Sequence, residues 1–200
     1  MIVLPQKAAL PLLPELLEET TIAAAFARLQ ELIASGTAQL AANLILRSHE
    51  AERATSESVE ELVYATEFDP PNLPENSTND PEILKHWPVT GITPTAFERR
   101  NVGATLEVAV TPGADGKSLM VDAMTQHVRF LRWAKIDAGR LANSERLSLE
   151  QPIFHTVRNV SQIVLRNGQR VLLGIHKLTE PADTWELFIV RASATRAREP

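Results

Sequence analysis

The sequence has no cysteine among its 200 residues, which excludes disulfide bonds, thiol nucleophiles and thiolate metal sites together. It also has no apolar run approaching the roughly 20 residues that a membrane-spanning helix needs. Residues 1–7 lack the basic start and the small-residue cleavage site of a secretory signal, so no such signal is predicted. Because the absence of cysteine fits both reducing and oxidising compartments, the localisation stays unknown.

Basic residues are outnumbered by acidic ones, which gives a net charge of -5 and a pI near 5.6. A nucleic-acid-binding surface usually carries a basic excess. Residues 127–135 do mix cations with aromatic rings, but strand alternation separates Arg129 and Trp133 from Phe130 and Arg132. That separation removes the continuous stacking platform that single-strand binders use. No nucleic-acid partner is therefore expected.

Residue patterns that carry catalysis are also missing. There is no Gly-x-Ser-x-Gly elbow, no phosphate-binding glycine loop and no dinucleotide fingerprint. The five histidines are widely separated, so none belongs to a metal-binding pair. His127, Arg129 and Glu107 could meet on neighbouring strands, as could any polar strand residues. The sequence predicts no catalytic residue, metal, cofactor or small-molecule substrate; an enzyme would need a cleft where polar side chains from different strands converge.

What the chain does contain is a large share of patterned apolar residues, 44% of the total, which is enough for a core. From about Glu15 to Ser35 they recur at three- and four-residue steps, which predicts one amphipathic helix lying on a sheet. Thr20 or Thr21 could cap its start if the segment at Pro14 is separate, and Gly36 suits the left-handed position just after its end. The predicted buried stripe consists of Ile22, Ala25, Phe26, Leu29, Leu32 and Ile33.

Alternation of apolar and polar residues predicts strands in most of the remaining chain. The pattern is clearest over Val102–Val110, while Trp185–Ala192 is apolar on both sides, as in a buried central strand. Other strands are predicted over 40–52, 59–68 and 119–136, the second antiparallel to the first and the third with a bulge or bend near Gln126. The expected class is mainly β (α+β), with an antiparallel sheet, long hairpins and one N-terminal helix.

Turn-forming residues separate these segments. Six of the 13 prolines lie within residues 69–98, which predicts a long proline-rich excursion. Pro112–Lys117 predicts a turn, residues 137–150 a polar loop and residues 193–200 a frayed tail. All of these segments are assigned to one domain spanning residues 1–200.

Asn167-Gly168 is the strongest turn signal in the chain. A type I′ turn needs positive φ at both central residues, which Asn and Gly tolerate best. Two apolar runs, Ile163–Leu165 and Val171–Leu173, flank the pair. Residues 153–176 are therefore predicted to form one long antiparallel hairpin.

Several segments, taken in order, resemble the C-terminal secretin domain of bacterial type II and type III secretion systems and type IV pilus systems. Val102–Val108 resembles that domain's Val-Gly-x-x-Leu-x-Val strand, and Gln151–Gly174 is similar to its hairpin. The other similar segments are 41–48, 61–71, 93–98 and 186–190. Together the similar segments span most of residues 21–192.

Three features of secretins are absent from the corresponding positions. The turn at 49–55 lacks Ser-Gly-Gln, and Gly174 is followed by Ile175 where secretins have a Gly-Gly pair. Lys177–Thr184 stands where secretins have a Val-Pro-x-Leu-x-x-Ile-Pro-x-x-Gly-x-Leu-Phe segment. In secretins these parts help to build the outer-membrane pore. The resemblance therefore implies a secretin-like β fold that need not form a channel.

The resemblance implies a non-enzymatic structural component related to protein secretion or pilus assembly. Such a chain would form rings by strand pairing between copies, because open sheet edges seek partners, or would bind other secretion or pilus components. Membrane association would arise only through assembly, and a working relative would lie in the outer membrane or periplasm. The alternative is a soluble monomeric or small-oligomer binding module that keeps the fold without a channel.

The residues expected to matter most are structural. Gly103 is expected where two strands approach closely, and Gly174 where a strand bends. Asn167 and Gly168 are expected to form the turn. No residue is assigned a catalytic, cofactor-binding or metal-binding role.

Overall fold

The computed structural model describes residues 1–70, 82, 91–140 and 146–195. It contains two four-stranded antiparallel sheets and a set of short helices near the N-terminus. The predicted mainly β class with an N-terminal helix is confirmed. The chain divides into two compact units: unit 1 comprises 1–59, 103–129 and 155–200, and unit 2 comprises 60–102 and 130–154.

Short helices precede most of the strands in the chain. The helices described near the N-terminus are α1 (Gln6–Ala9), α2 (Leu13–Leu17) and α3 (Ile22–Ala34), with a 3-10 turn over Leu10–Leu12. The strands are β1 (Ile2–Pro5), β2 (Gln39–Leu40), β3 (Ala54–Asp69), β4 (Thr93–Pro112), β5 (Ser118–Arg140), β6 (Arg146–Arg166), β7 (Arg170–Lys177) and β8 (Thr184–Arg191). Strands β3, β4, β5 and β6 each contribute residues to both units. Within the described ranges, no helix has the length and apolar character needed to cross a membrane.

The apolar stripe predicted for the N-terminal helix is the buried face of α3. Ile22, Ala25 and Leu29 are at most 5% exposed, and they share a core with Leu187 of β8. The rest of the stripe packs against this core: Phe26, Leu32 and Ile33. Burying one leucine side chain stabilises a fold by about 1.5–3 kcal/mol. The stripe therefore fixes α3 to the first sheet.

The two ends of α3 differ in how well the sequence predicts them. Gly36 has a positive φ of 75° just past the helix, as predicted. Thr21 lies at the N-terminal boundary, but its hydroxyl donates to the Glu15 carbonyl (2.9 Å) and does not cap α3. Pro14 lies in the first turn of the separate helix α2, a position that proline suits. The predicted helix is thus two helices.

The first sheet has the strand order β2-β1-β8-β7. Its strand β8 is buried on both faces, as predicted, because Leu187 packs with α3 while Phe188 packs with Val157 and Leu178. Leu187 and Phe188 are 0% and 1% exposed. The short strand β1 was not predicted, since the prolines that follow it hide its alternation.

The second sheet has the strand order β3-β4-β5-β6. Its β4–β5 ladder is regular from Gly103–Val128 to Pro112–Leu119. The predicted bulge near Gln126 is therefore absent from this ladder. The alternation of buried residues continues through Thr125 and His127. These two buried side chains are polar, so the apolar pattern of the sequence is interrupted although the strand is not.

Two predicted loops are strands in part. β5 continues to Arg140 and β6 begins at Arg146, in place of the polar loop over 137–150. β4 begins at Thr93, inside the predicted excursion. Most described residues in these stretches are exposed or half-buried, so strand alternation is weak there. Residues 71–81 and 83–90 of the excursion, and 196–200 of the tail, lie outside the described residues.

The strand predicted over residues 40–52 is wrong. Only Gln39–Leu40 pairs, with β1, and residues 41–49 have no regular structure. Ile45 is 79% exposed, while Leu46 packs against a core in unit 1. Leu44, Ile45 and Leu46, the apolar residues at the centre of this predicted strand, do not form one, because no strand among the described residues pairs with them. The second predicted strand lies within β3, which pairs with β4.

The long hairpin predicted around Asn167-Gly168 is also wrong. β6 lies beside β5 in the second sheet, whereas β7 lies beside β8 in the first. A turn is present, since the Gln169 N–H donates to the Arg166 carbonyl (2.9 Å). Gly168 has a φ of 84° but Asn167 does not have a positive φ, so the type I′ requirement is met at one position only. The Asn-Gly pair carries the chain from one sheet to the other.

The turn predicted over Pro112–Lys117 is confirmed for the residues after Pro112. The Asp115 carboxylate accepts hydrogen bonds from the Ser118 N–H (2.9 Å), the Ser118 hydroxyl (2.7 Å) and the Lys117 N–H (3.0 Å). These bonds favour the ionised carboxylate and lower the pKa of Asp115 to about 2. The ionised side chain thereby holds the β4–β5 turn closed.

Candidate functional site

In the part of the chain that the structure describes, β3 and β6 are the outermost strands of the second sheet, and neither has a further strand beside it in that sheet. β3 has 16 residues and β6 has 21, against a mean strand length of about 5–6. Edge strands present unpaired backbone N–H and C=O groups, and proteins usually keep such edges short or covered. The two long edges are therefore the leading candidate for contact with another strand.

The two edge strands carry opposite charge. β3 contains five acidic residues and neither lysine nor arginine. β6 contains three arginines and one glutamate. Because neighbouring strands of this sheet are antiparallel, β3 and β6 run in opposite directions. The β6 edge of one copy can therefore pair antiparallel with the β3 edge of another, with opposite charges in proximity.

Exposed valines lie along β6 in unit 1. Val160 and Val164 are 72% and 71% exposed, whereas Leu165 on the other face is 2% exposed. β-Branched residues favour strand pairing because they pack well on a pleated surface. This edge therefore combines open backbone groups with apolar side chains that have little contact within the chain.

Gly103 lies where β4 passes directly against β3. Its φ is 135°, and a Cβ at this position would lie 2.2 Å from the Ser58 carbonyl oxygen and 2.9 Å from the Val59 Cα. Both atoms belong to the backbone and cannot move aside as a side chain would. The close strand approach expected from the sequence is thus the geometry found at Gly103, and it fixes the position of the β3 edge in unit 1.

Asn167 and Gly168 anchor the segment after β8. The Asn167 amide donates to the Ala194 carbonyl (2.9 Å) and its side-chain oxygen accepts from the Ala194 N–H (3.0 Å). The Asn167 N–H donates to the Lys117 carbonyl (2.9 Å), and the Arg191 Nε donates to the Gly168 carbonyl (2.9 Å). The pair is therefore hydrogen-bonded to the β4–β5 turn at Lys117, to the end of β8 at Arg191 and to Ala194 beyond it. A simple hairpin turn would not make these contacts.

Gly174 lies at an irregularity of β7. The β7–β8 register shifts between Leu172 and Gly174, and a Cβ on Gly174 would lie 2.3 Å from the Asn159 Oδ1. That oxygen accepts from the His176 Nε2–H (2.8 Å), and the Asn159 amide donates to the Thr125 hydroxyl (3.2 Å). Gly174 therefore leaves the space in which Asn159 links β5, β6 and β7.

His176 makes the stability of this region pH-dependent. Burial lowers the pKa of its imidazole, an effect that the Glu186 carboxylate opposes and His155 reinforces. As the pH falls below about 6.5, the unfolded chain takes up this proton before the folded chain does. We therefore expect the folded state to lose stability as the pH falls from 7.5 towards 5.

The variant His176→Gln separates this effect from that of the other histidines. Glutamine can still donate to Asn159 but does not titrate. In urea denaturation at a series of pH values, the variant should lose less stability on acidification than the wild type. Parallel pH profiles for the two proteins would show that His176 does not supply the dependence.

His127 and Glu186 form a buried pair between the two sheets of unit 1. The His127 Nδ1 lies 2.5 Å from the Glu186 Oε1, and the Glu186 side chain is fully buried. The other carboxylate oxygen has no hydrogen-bond partner among the described residues. Sequence reasoning missed Glu186, although an acidic residue between Trp185 and Leu187 in a strand apolar on both faces is a detectable signal.

The polar strand residues that the sequence grouped with His127 do not join it. Glu107 pairs with Arg53, and Arg129 donates to the Glu180 carbonyl (3.2 Å). In the described part of the chain, no cluster of His, Asp or Glu is placed to hold a metal ion. The chemistry that these residues support is therefore ion pairing and hydrogen bonding within the fold.

The fold and the site together define a mainly β protein whose second sheet has the long strands β3 and β6 as its outermost strands. The chain matches no protein-family model, no curated protein and no solved structure.

Proposed function

We propose that the chain is a non-enzymatic, secretin-like structural component related to bacterial protein secretion or pilus assembly, and that its copies associate through β6 and β3. The main support is the pair of long, oppositely directed and oppositely charged edges on one sheet. The order of the secretin-like segments in the sequence supports the same class.

Charge favours pairing of unlike edges over pairing of like edges. Two β3 strands side by side would oppose acidic residues, which is destabilising in a ladder. Pairing β6 with β3 of the next copy uses two different surfaces. Repeated pairing of this kind closes into a ring when the rotation between successive copies permits. A ring is therefore the form of self-association that the edges favour.

A second candidate function has its own support within unit 2. There the Gln151 side-chain amide donates to the Ala65 carbonyl (2.9 Å), so β6 reaches β3 of the same chain. An edge occupied in this way is less available to a second copy. A soluble monomeric or small-oligomer binding module with a secretin-like fold is the alternative that this contact favours.

Light scattering over a range of concentrations, with and without detergent, tests self-association. We expect assemblies many times the 22.1 kDa mass of the chain. Reversal of one charge on either edge, Arg158→Glu on β6 or Glu57→Lys on β3, should raise the concentration of half-assembly about tenfold, since like charges across an interface are costly. Combining the two reversals should recover most of the lost affinity between copies.

Glu31→Lys is the matched control for Glu57→Lys, because it makes the same charge change on the exposed face of α3. It should leave the half-assembly concentration unchanged. Assembly should also weaken as salt is added, since exposed charges are screened. A monomer of 22.1 kDa at every concentration, with no response to detergent, would contradict the ring and favour the binding module.

A further inference from the structure

The first and last strands of the second sheet touch each other in unit 2. Three strand spacings would separate β3 from β6 by about 14 Å in a flat sheet. The Gln151 Nε2 nevertheless lies 2.9 Å from the Ala65 carbonyl oxygen. A glutamine side chain is too short to span a flat sheet, so the sheet must curl until its two edges meet.

Aromatic side chains complete this contact. The Tyr64 and Phe154 ring centroids are 6.0 Å apart, and Phe154 also lies 6.2 Å from the Phe130 ring. The Arg100 guanidinium lies 5.9 Å from the Phe154 centroid. Phe154 is therefore the residue at which β3, β4, β5 and β6 come together.

The described residues of unit 2 are exposed or half-buried, whereas unit 1 contains the cores around Leu187 and Val121. Regions with few buried apolar contacts open at a small free-energy cost. The curled arrangement can therefore open without unfolding unit 1.

We propose that Gln151 and Phe154 form a latch that closes the β3 edge against β6 of the same chain, and that self-association requires this latch to open. The proposal rests on the self-association proposed above and assigns its regulation. Closure within one chain competes with pairing between chains, because an intramolecular partner acts at an effective concentration of about millimolar. Only the open form offers the whole β3 edge to a second copy.

The latch makes assembly depend on the fraction of open chains. The apparent affinity is reduced by the fraction that is competent to bind. Gln151→Ala and Phe154→Ala leave the backbone donors and acceptors of both edges intact while they remove the two latch contacts. Each variant should therefore assemble at a lower concentration than the wild type. The decrease is about tenfold if the fraction of open chains rises from one in ten to nearly all.

Matched controls exist on the same strands. Gln162→Ala removes an exposed glutamine from β6, and Phe97→Ala removes a phenylalanine that is 61% exposed on β4. Neither residue takes part in the latch, so neither control should lower the half-assembly concentration. A lower concentration in the controls as well would show that loss of surface side chains, and not latch opening, promotes assembly.

Tyr64 provides a direct readout, because it is the single tyrosine of the chain. Incorporated 3-fluorotyrosine gives one ¹⁹F resonance, which reports on the neighbouring Phe154 ring. Phe154→Ala should shift this resonance in the monomer, and assembly of the wild type should shift it away from the closed position. An identical resonance in monomer and assembly would mean that the contact persists, which would overturn the latch.

The outcomes separate the two proposals. If the wild type assembles and the latch variants assemble at the same concentration, the latch is wrong while self-association stands. If neither the wild type nor any latch variant assembles, self-association is wrong and the contact has no assembly to regulate. We expect both latch variants to assemble at a lower concentration than the wild type, the controls to be unchanged and the Tyr64 resonance to shift.

Discussion

Gly103→Ala is expected to destabilise the protein by about 3 kcal/mol or more. The added Cβ would meet two backbone atoms, the Ser58 oxygen at 2.2 Å and the Val59 Cα at 2.9 Å, and the φ of 135° suits only glycine. Relief of the overlap requires β3 and β4 to separate, which weakens the ladder between them. Chemical denaturation of dilute, monomeric protein measures the loss as a lower midpoint.

Gly139→Ala is the control that isolates backbone strain. Gly139 also has a positive φ, of 108°, but a Cβ there would meet no atom within 4 Å. Its replacement should cost about 1–3 kcal/mol from strain alone. The excess loss in Gly103→Ala then measures the close approach of the two strands. Equal losses in the two variants would show that the approach contributes nothing.

Breaking the buried His127–Glu186 pair is the other change with a large expected effect. His127→Leu leaves the fully buried Glu186 without its hydrogen-bond partner, and removal of one member of a buried pair typically costs about 3–5 kcal/mol. Glu186→Leu should cost less, because the remaining histidine side chain is 11% exposed and reaches water more easily. Denaturation midpoints of the single variants measure both losses.

The double variant His127→Leu/Glu186→Leu distinguishes pairing from packing. Two apolar side chains leave no unsatisfied buried group, and replacing both members of a buried pair is often close to neutral. The double variant should therefore be more stable than His127→Leu alone. If the two single losses simply add, the side chains do not interact, and their burial alone explains the effect.

Local sequence patterns predicted those parts of the fold that depend on neighbouring residues. The stripe of α3, the positive φ of Gly36 and the turn at Asp115 all follow from interactions within a few positions. The buried strand β8 was also predictable, since a strand covered on both faces must be apolar on both. Only the start of α3 failed among these, because the Thr21 hydroxyl bonds to Glu15.

Long-range pairing was not predictable in the same way. Asn167-Gly168 indicates a turn, but the sequence does not show that β6 and β7 leave it into different sheets. The apolar run near Leu44 has strand propensity, but a strand needs a neighbouring strand to pair with. No described strand pairs with this run, and it has no regular structure. Parts of the loops predicted at 137–150 and near Thr93 proved to be strands, since tertiary pairing outweighs local propensity.

The sequence by itself determined the class of this protein: mainly β, with an N-terminal helix, no thiol chemistry and no catalytic motif. Tertiary structure alone decided which strands form edges, that Gln151 meets Ala65, and that His127 faces Glu186. The physical reason is distance along the chain. Composition and periodicity report what each residue prefers, whereas contacts between residues 59 or 86 positions apart depend on how the whole chain closes.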